Sequence, residues 1–254
     1  MDIVNLIFCI IFGLYGVIIG SFVNVLILRL PLRESVTLQR SHCMSCGHVL
    51  SWYELFPLFS YLFLRGKCRH CKAHISIQYP IVEAANGILY VGIFLVYGLS
   101  FEAILYCLSV SALLALSVID WRTQEIPLGF NIFILILGLI HIVTDLSNWS
   151  QYVIGLFAVS GFLLLLWLLT KGKGIGDGDI KLMAATGLLL GWQLNIVAFL
   201  LGCIIGSVVH LTRMAIKKVG RQLAFGPYLS MGVYIAMIWG EQLVSWYLSM
   251  WTTV

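Results

Sequence analysis

The chain has 254 residues, of which 61% are hydrophobic and only 10% charged, with a formal net charge of +4. Its mean hydropathy is +1.00, and its charge content is far below the quarter or so usual in soluble domains, which excludes a soluble globular protein. Composition predicts an all-α polytopic protein embedded in a lipid bilayer, and nothing in it points to a nucleic-acid partner.

The first apolar segment, 4–28, has no basic flank before it and runs into "RLPLR", so it reads as a retained helix and not a cleaved signal. Further apolar segments follow at 81–98, 103–119, 128–144, 152–170, 182–192, 195–212 and 224–244, giving about eight transmembrane helices. The sixth is short and flanked by glycine. Three regions are expected: residues 1–30 as a first membrane helix, 31–80 as a small soluble insert, and 81–254 as the main membrane domain.

All 15 Lys and Arg residues fall in alternate connections. Arg29, Arg33, Arg40, Arg65, Lys67, Arg69 and Lys72 lie between segments one and two, and Arg122 between three and four. Lys171, Lys173 and Lys181 lie between five and six, and Arg213, Lys217, Lys218 and Arg221 between seven and eight. The opposite loops hold acids only, such as Glu102 and Asp145. The positive-inside rule makes the basic side cytoplasmic and puts both termini outside. It also gathers 31–80, 120–127, 171–181 and 213–223 at one membrane face.

Within the insert, "HCMSCGH" and "GKCRHCK" set Cys43-x-x-Cys46 and Cys68-x-x-Cys71 apart by 21 residues. Paired CxxC knuckles at this spacing predict four thiolate ligands for a structural zinc, closed to catalysis because no coordination position stays open. Such a metal would staple an insert too small to build much core. His42, His48 and His70 adjoin the cysteines and could each replace one ligand; a reduced or redox-active set without metal is the alternative. Cys9, Cys107 and Cys203 lie in apolar runs and read as packing residues.

Asp120 closes the third segment in "VIDWRTQEIP", and "KGKGIGDGDIKL" places Asp177 and Asp179 before the sixth. Acids at a membrane boundary are costly to desolvate and are functional candidates by default. Asp177 reads as a solvated cap. The glycines at 172, 174, 176 and 178 argue against a continuous helix and would let an extended peptide lie against the backbone. The stretch is neither a dinucleotide fingerprint nor a phosphate loop. Two aspartates brought together from different helices could share one proton, because like charges a few ångströms apart cannot both ionise. The ionised member would then activate water while the protonated one polarises a peptide carbonyl. Spacing alone does not establish that Asp120 and Asp179 meet. No nucleophile elbow and no H-E-x-x-H motif offers serine or zinc protease chemistry. A transporter would favour acids near the midplane and internal repeats, and a redox protein would use the CxxC pairs; on the residues alone both readings stay open.

In chain order, "GSFVNVLILRLP", the double CxxC, "ISIQYPIVEAANG", "VIDWRTQEIP", "GIGDGDIKLMAATG" and "FGPYLSMG" resemble the motifs of the prepilin peptidase (type IV leader peptidase) family, membrane aspartic proteases of the GxGD type. The resemblance implies Asp120 and Asp179 as the catalytic pair, with Asp177 at a variable position. Many relatives carry Asp after the Ile-Pro, where this chain has Leu128, which concentrates the first catalytic role on Asp120. It further implies cleavage of the basic leader of prepilins or pseudopilins at a bacterial inner membrane, after a glycine on the cytoplasmic side of the substrate's apolar stem. Many members also methylate the new N-terminus with S-adenosylmethionine, an activity tied to the insert, although the residues here show no recognisable methyl-donor motif. Glu54 and Glu83 are polar candidates near the insert, equally well read as a solvated loop acid and a helix-boundary acid. Lys181 reads as snorkelling to headgroups, with holding the Asp179 carboxylate as the alternative. Asn24 and Asn86 are expected to bond between helices, and His141 and His210 to be satisfied or interfacial.

Overall fold

The computed structural model describes residues 2–37, 39–217 and 223–252; Lys218 and Arg221 of the last basic connection lie outside the described residues. The helices are α1 (Ile3–Arg29), α2 (Phe59–Phe63), α3 (Gln78–Tyr97), α4 (Phe101–Thr123) and α5 (Leu128–Thr144). They continue with α6 (Trp149–Leu169), α7 (Asp177–Leu190), α8 (Trp192–Lys217) and α9 (Gly226–Thr252). Each of the eight apolar segments falls on one of them. Five, α1, α3, α4, α6 with the short turn before it, and α8, are long and apolar enough to cross a membrane, and α5 is a shorter apolar helix. The protein is thus an all-α, multi-pass membrane protein. Among the described residues the insert has only two isolated β-bridges, His42 with Val49 and Lys67 with His74.

The chain forms two compact units, residues 1–103 and 104–254. In the first, α1 and α3 pack through glycines. A Cβ on Gly16 would lie 2.8 Å from Gly87 Cα, and one on Gly20 would lie 2.8 Å from Glu83 Cα. Small residues allow this approach where lipid supplies no hydrophobic drive between helices. The expected interhelical bonds are present: Asn86 Nδ2 donates to Gly16 O at 2.7 Å, and Asn24 Nδ2 to Tyr79 O at 3.0 Å.

The second unit repeats the device with α6, α7 and α8. A Cβ on Gly187 would fall on the Gly155 carbonyl. Beside that contact, buried Asn195 accepts from Thr186 Oγ1 at 3.0 Å and donates to Met183 O at 2.9 Å. Deeper in, His141 Nδ1 pairs with Leu189 O at 2.8 Å, joining α5 to α7 and satisfying one ring nitrogen, as expected. His210 is partly exposed and is not satisfied in the same way, since its Nδ1 has no hydrogen-bond partner.

Candidate active site

Two aspartates converge at one end of the second unit. Asp120 lies in the last turn of α4, three residues inside the helix end and not in the following loop, and is 4% exposed. It sits opposite the start of α9, where the Gly226 backbone N–H donates to Asp120 Oδ2 at 2.9 Å. A helix N-terminus carries unsatisfied donors and the positive end of the peptide dipoles, so it favours a carboxylate. Pro227 follows within the first turn, where its missing N–H costs nothing.

Asp179 occupies the first turn of α7 and is 8% exposed. The Gly176 backbone, at the helix N-cap, comes so close that a Cβ there would lie 3.1 Å from Asp179 Oδ2. The structure brings Asp179 within electrostatic reach of both Asp120 and Asp177. Asp177 differs from the other two. It points outward and pairs with Lys181 Nζ at 2.6 Å, one helical turn on, with both side chains at least half exposed. Lys181 therefore neither holds Asp179 nor stands alone; its partner is the outer acid.

Two residues that the sequence did not single out complete the arrangement. Ile126 packs at the start of α7, which carries Asp179, and at the start of α9, which holds Asp120: its Cβ lies 3.0 Å from where a Gly178 Cβ would be, and its Cδ1 3.3 Å from the corresponding point on Gly226. Gly226 itself has no room for a side chain, since a Cβ would sit 2.7 Å from Asp120 Oδ2. The glycine run also behaves differently from expectation. Gly172 has φ +75° and the chain is irregular from 171 to 176, but Gly178 lies inside α7. Its role there is close packing on Ile126 and not a helix break.

The four insert cysteines form a second cluster. Their sulfurs all lie within 4.8 Å of one another, and Cys43 Sγ is 3.8 Å from Cys71 Sγ. A tetrahedral zinc with bonds of about 2.3 Å needs sulfurs about 3.8 Å apart, so the donor set fits that metal. The two knuckles are built alike. Cys43 N–H donates to His48 O and Cys68 N–H to Ala73 O, both at 2.8 Å, while Gly47 and Lys72 N–H donate back to the carbonyls of Cys43 and Cys68. Gly47 and Lys72, each just after the second cysteine, take positive φ. Backbone donors at Ser45 and Cys46 pull the Cys43 thiol down to about 6, whereas at Cys46 a backbone donor at His48 is outweighed by desolvation and the neighbouring Cys71 and Cys43, which push the thiol up to about 11, so within this pair Cys43 ionises first. His48 and His70 stack on each other with centroids 5.1 Å apart and stand outside the sulfur cluster.

Glu54 corrects the reading of a solvated loop acid, for it is buried; Glu83, near the start of α3, is buried as well. Glu54 accepts from Ser51 N–H at 2.8 Å in a capping box, and Glu83 from Leu58 N–H at 2.8 Å. Arg29 is buried as well, donating to the Ser35, Val36 and Gln39 carbonyls. Charged side chains thus tie down insert backbone that, among the described residues, forms no sheet and no long helix. Beside Glu54 lies a cavity of about 400 Å³ lined by Tyr53, Phe56, Phe59, Phe63 and Arg69 among others.

Comparison with known proteins agrees with this division. Residues 14–97 match the bacterial peptidase A24 N-terminal domain, and residues 107–211 match the type IV leader peptidase family. A prepilin leader peptidase/N-methyltransferase of Pseudomonas putida is 34% identical, over 90% of this chain and 89% of the relative. One of Stutzerimonas stutzeri is 35% identical, over 92% and 91%. One of Bacillus subtilis strain 168 is 33% identical, over 93% and 96%. No solved structure matches the chain.

Proposed function

The chain belongs to the type IV leader peptidase family, and from that premise we propose that it removes the leader of type IV prepilins or pseudopilins through the pair Asp120 and Asp179. The observation that carries this reading is the burial of two carboxylates from separate helices within electrostatic reach of each other. One proton shared between them leaves one carboxylate to draw a proton from water and one carboxyl to donate to the scissile carbonyl. The Gly226 N–H holds Asp120 in place through this exchange. Asp177, exposed and paired with Lys181, takes no part.

The basic loops set the orientation: an inner-membrane enzyme with both termini outside and the aspartates at the cytoplasmic face. A prepilin presents an apolar stem in the bilayer and a basic leader in the cytoplasm, so its scissile bond arrives at that interface. Residues 1–30 serve as a first membrane helix, 31–80 as the zinc insert and 81–254 as the peptidase domain. Cys43, Cys46, Cys68 and Cys71 would hold the zinc, which shapes the insert and takes no part in chemistry.

We further propose N-methylation of the new N-terminus, as in the relatives' names. S-adenosylmethionine would supply the methyl group. The cavity beside Glu54 offers groups suited to it: aromatic faces at Tyr53, Phe56 and Phe59 for the adenine, the Glu54 carboxylate to accept from ribose hydroxyls, and Arg69 to donate to the carboxylate of the methionine part.

Purified enzyme in lipid with a prepilin substrate, read by mass of the new N-terminus, tests both activities at once. Asp120→Asn and Asp179→Asn should each lose cleavage by about 10²–10⁴-fold. Full cleavage by both variants would reject the mechanism.

A further inference from the structure

Asn131 is the odd residue of α5. It is 4% exposed amid an apolar helix, and neither its Nδ2 nor its Oδ1 has a hydrogen-bond partner. A buried amide left unpaired at both ends costs on the order of 1–3 kcal/mol per polar group, so its retention calls for a ligand.

Its position follows from the packing of α5 on α7. Ile126, just ahead of α5, touches Gly178 at the start of α7, while Gly138 packs on the backbone of Leu188 and Leu189. The two helices therefore run in the same direction with nearly matched register. Asn131 precedes Gly138 by seven residues, two turns, and so shares its α7-facing side. The same register sets Asn131 level with Lys181 and Leu182, on the order of 4 Å deeper along the axis than Asp179. The other buried residues of α5, Phe130, Ile134, Leu137 and His141, lie along the same side. All but His141 are apolar or glycine-like in what they offer, and His141 is already paired with Leu189 O.

We infer that the Asn131 side chain is a substrate-binding group, pairing with the main chain of the prepilin segment just inside the scissile bond. A carboxamide buried and unpaired at both ends offers two N–H donors and one acceptor. An extended peptide offers a C=O and an N–H, the complementary pair, which a lipid tail lacks. The direction is also right: the substrate's apolar stem continues into the bilayer from the aspartates, and Asn131 stands one step further in that direction. The inference rests on the peptidase reading above.

The test uses Asn131→Leu, close in volume and without polar atoms. Where an orphan amide merely sits in the core, this change is neutral or stabilising; where it binds peptide, substrate affinity falls. The full-length enzyme in lipid should show KM for prepilin raised roughly tenfold with kcat changed far less, and a melting temperature equal to or above the parent's. In the Asp179→Asn background, which binds without cutting, the same substitution should weaken equilibrium binding of prepilin by a similar factor. Asn131→Ser, which keeps a donor and an acceptor, should fall between the two. Unchanged KM and binding would overturn the inference, and so would losses that track a lowered melting temperature. If Asp179→Asn itself still cleaves, the peptidase reading fails first and takes this inference with it; a dead Asp179→Asn beside an unaffected Asn131→Leu sinks the inference alone.

Discussion

The thiol cluster and the aspartate pair reach the same kind of end, several reactive side chains brought to one point, by opposite routes. The four cysteines come from two short knuckles in one connection, each folded by its own local hydrogen bonds. Three of the four sulfur-bearing residues are at least partly open to solvent. Asp120 and Asp179 come from helices separated by two others in sequence, both carboxylates are buried, and backbone at glycines approaches each. A local site can be written in spacing; a site made by helix packing depends on every glycine that lets the helices close. The first should thus fail through its metal and the second through its packing.

The largest expected effect is on the cysteines. Zinc should be present at one per chain, and Cys43→Ser or Cys68→Ser should lose it, forfeiting a share of the roughly 10–16 kcal/mol that structural zinc brings. Metal analysis with limited proteolysis should show cuts within 31–80 while the second unit keeps its protection. A metal-free wild-type chain with a protease-resistant insert would break the comparison from that side. Gly226→Ala comes next. Its Cβ would press on Asp120 and displace the N–H that holds it, so cleavage should fall about ten- to hundredfold, the equivalent of about 1.5–3 kcal/mol for a hydrogen bond to a charged group. Zinc content should not change. Asn86→Ala should lower stability by about 1 kcal/mol in a melting assay, with cleavage per folded enzyme unchanged, because its bond to Gly16 joins α1 to α3 within the first unit, whereas Asp120 and Asp179 lie in the second. The smallest effect belongs to Asp177→Asn and Lys181→Ala. Their ion pair is solvent-screened, so each change should cost well under about 1 kcal/mol and leave steady-state cleavage near the parent's.

Much of this is legible in the sequence. Apolar length marked every helix except the short α2, and the CxxC spacing marked the cluster, because both are encoded in contiguous residues. The motifs singled out Asp120 and Asp179, yet no spacing rule could say that they meet. Gly226 and Ile126 stayed hidden for the same reason: their importance lies in contacts with residues 106 and 52 positions away. Glu54 misled because an acid in a polar insert looks solvated until the backbone N–H group it satisfies is seen. Asn131 is hidden most deeply, as a lone amide in an apolar helix whose meaning depends on its register against α7.

The most direct test asks whether the two aspartates work as one unit. Prepilin cleavage rates are compared for Asp120→Asn, Asp179→Asn and the double variant. Groups that share one proton are non-additive: removing either disables both. Each single variant should lose about 10²–10⁴-fold, and the double variant should be no slower than the worse single. Losses that multiply in the double variant, or one single variant that cleaves at the parent rate, would contradict a shared catalytic pair.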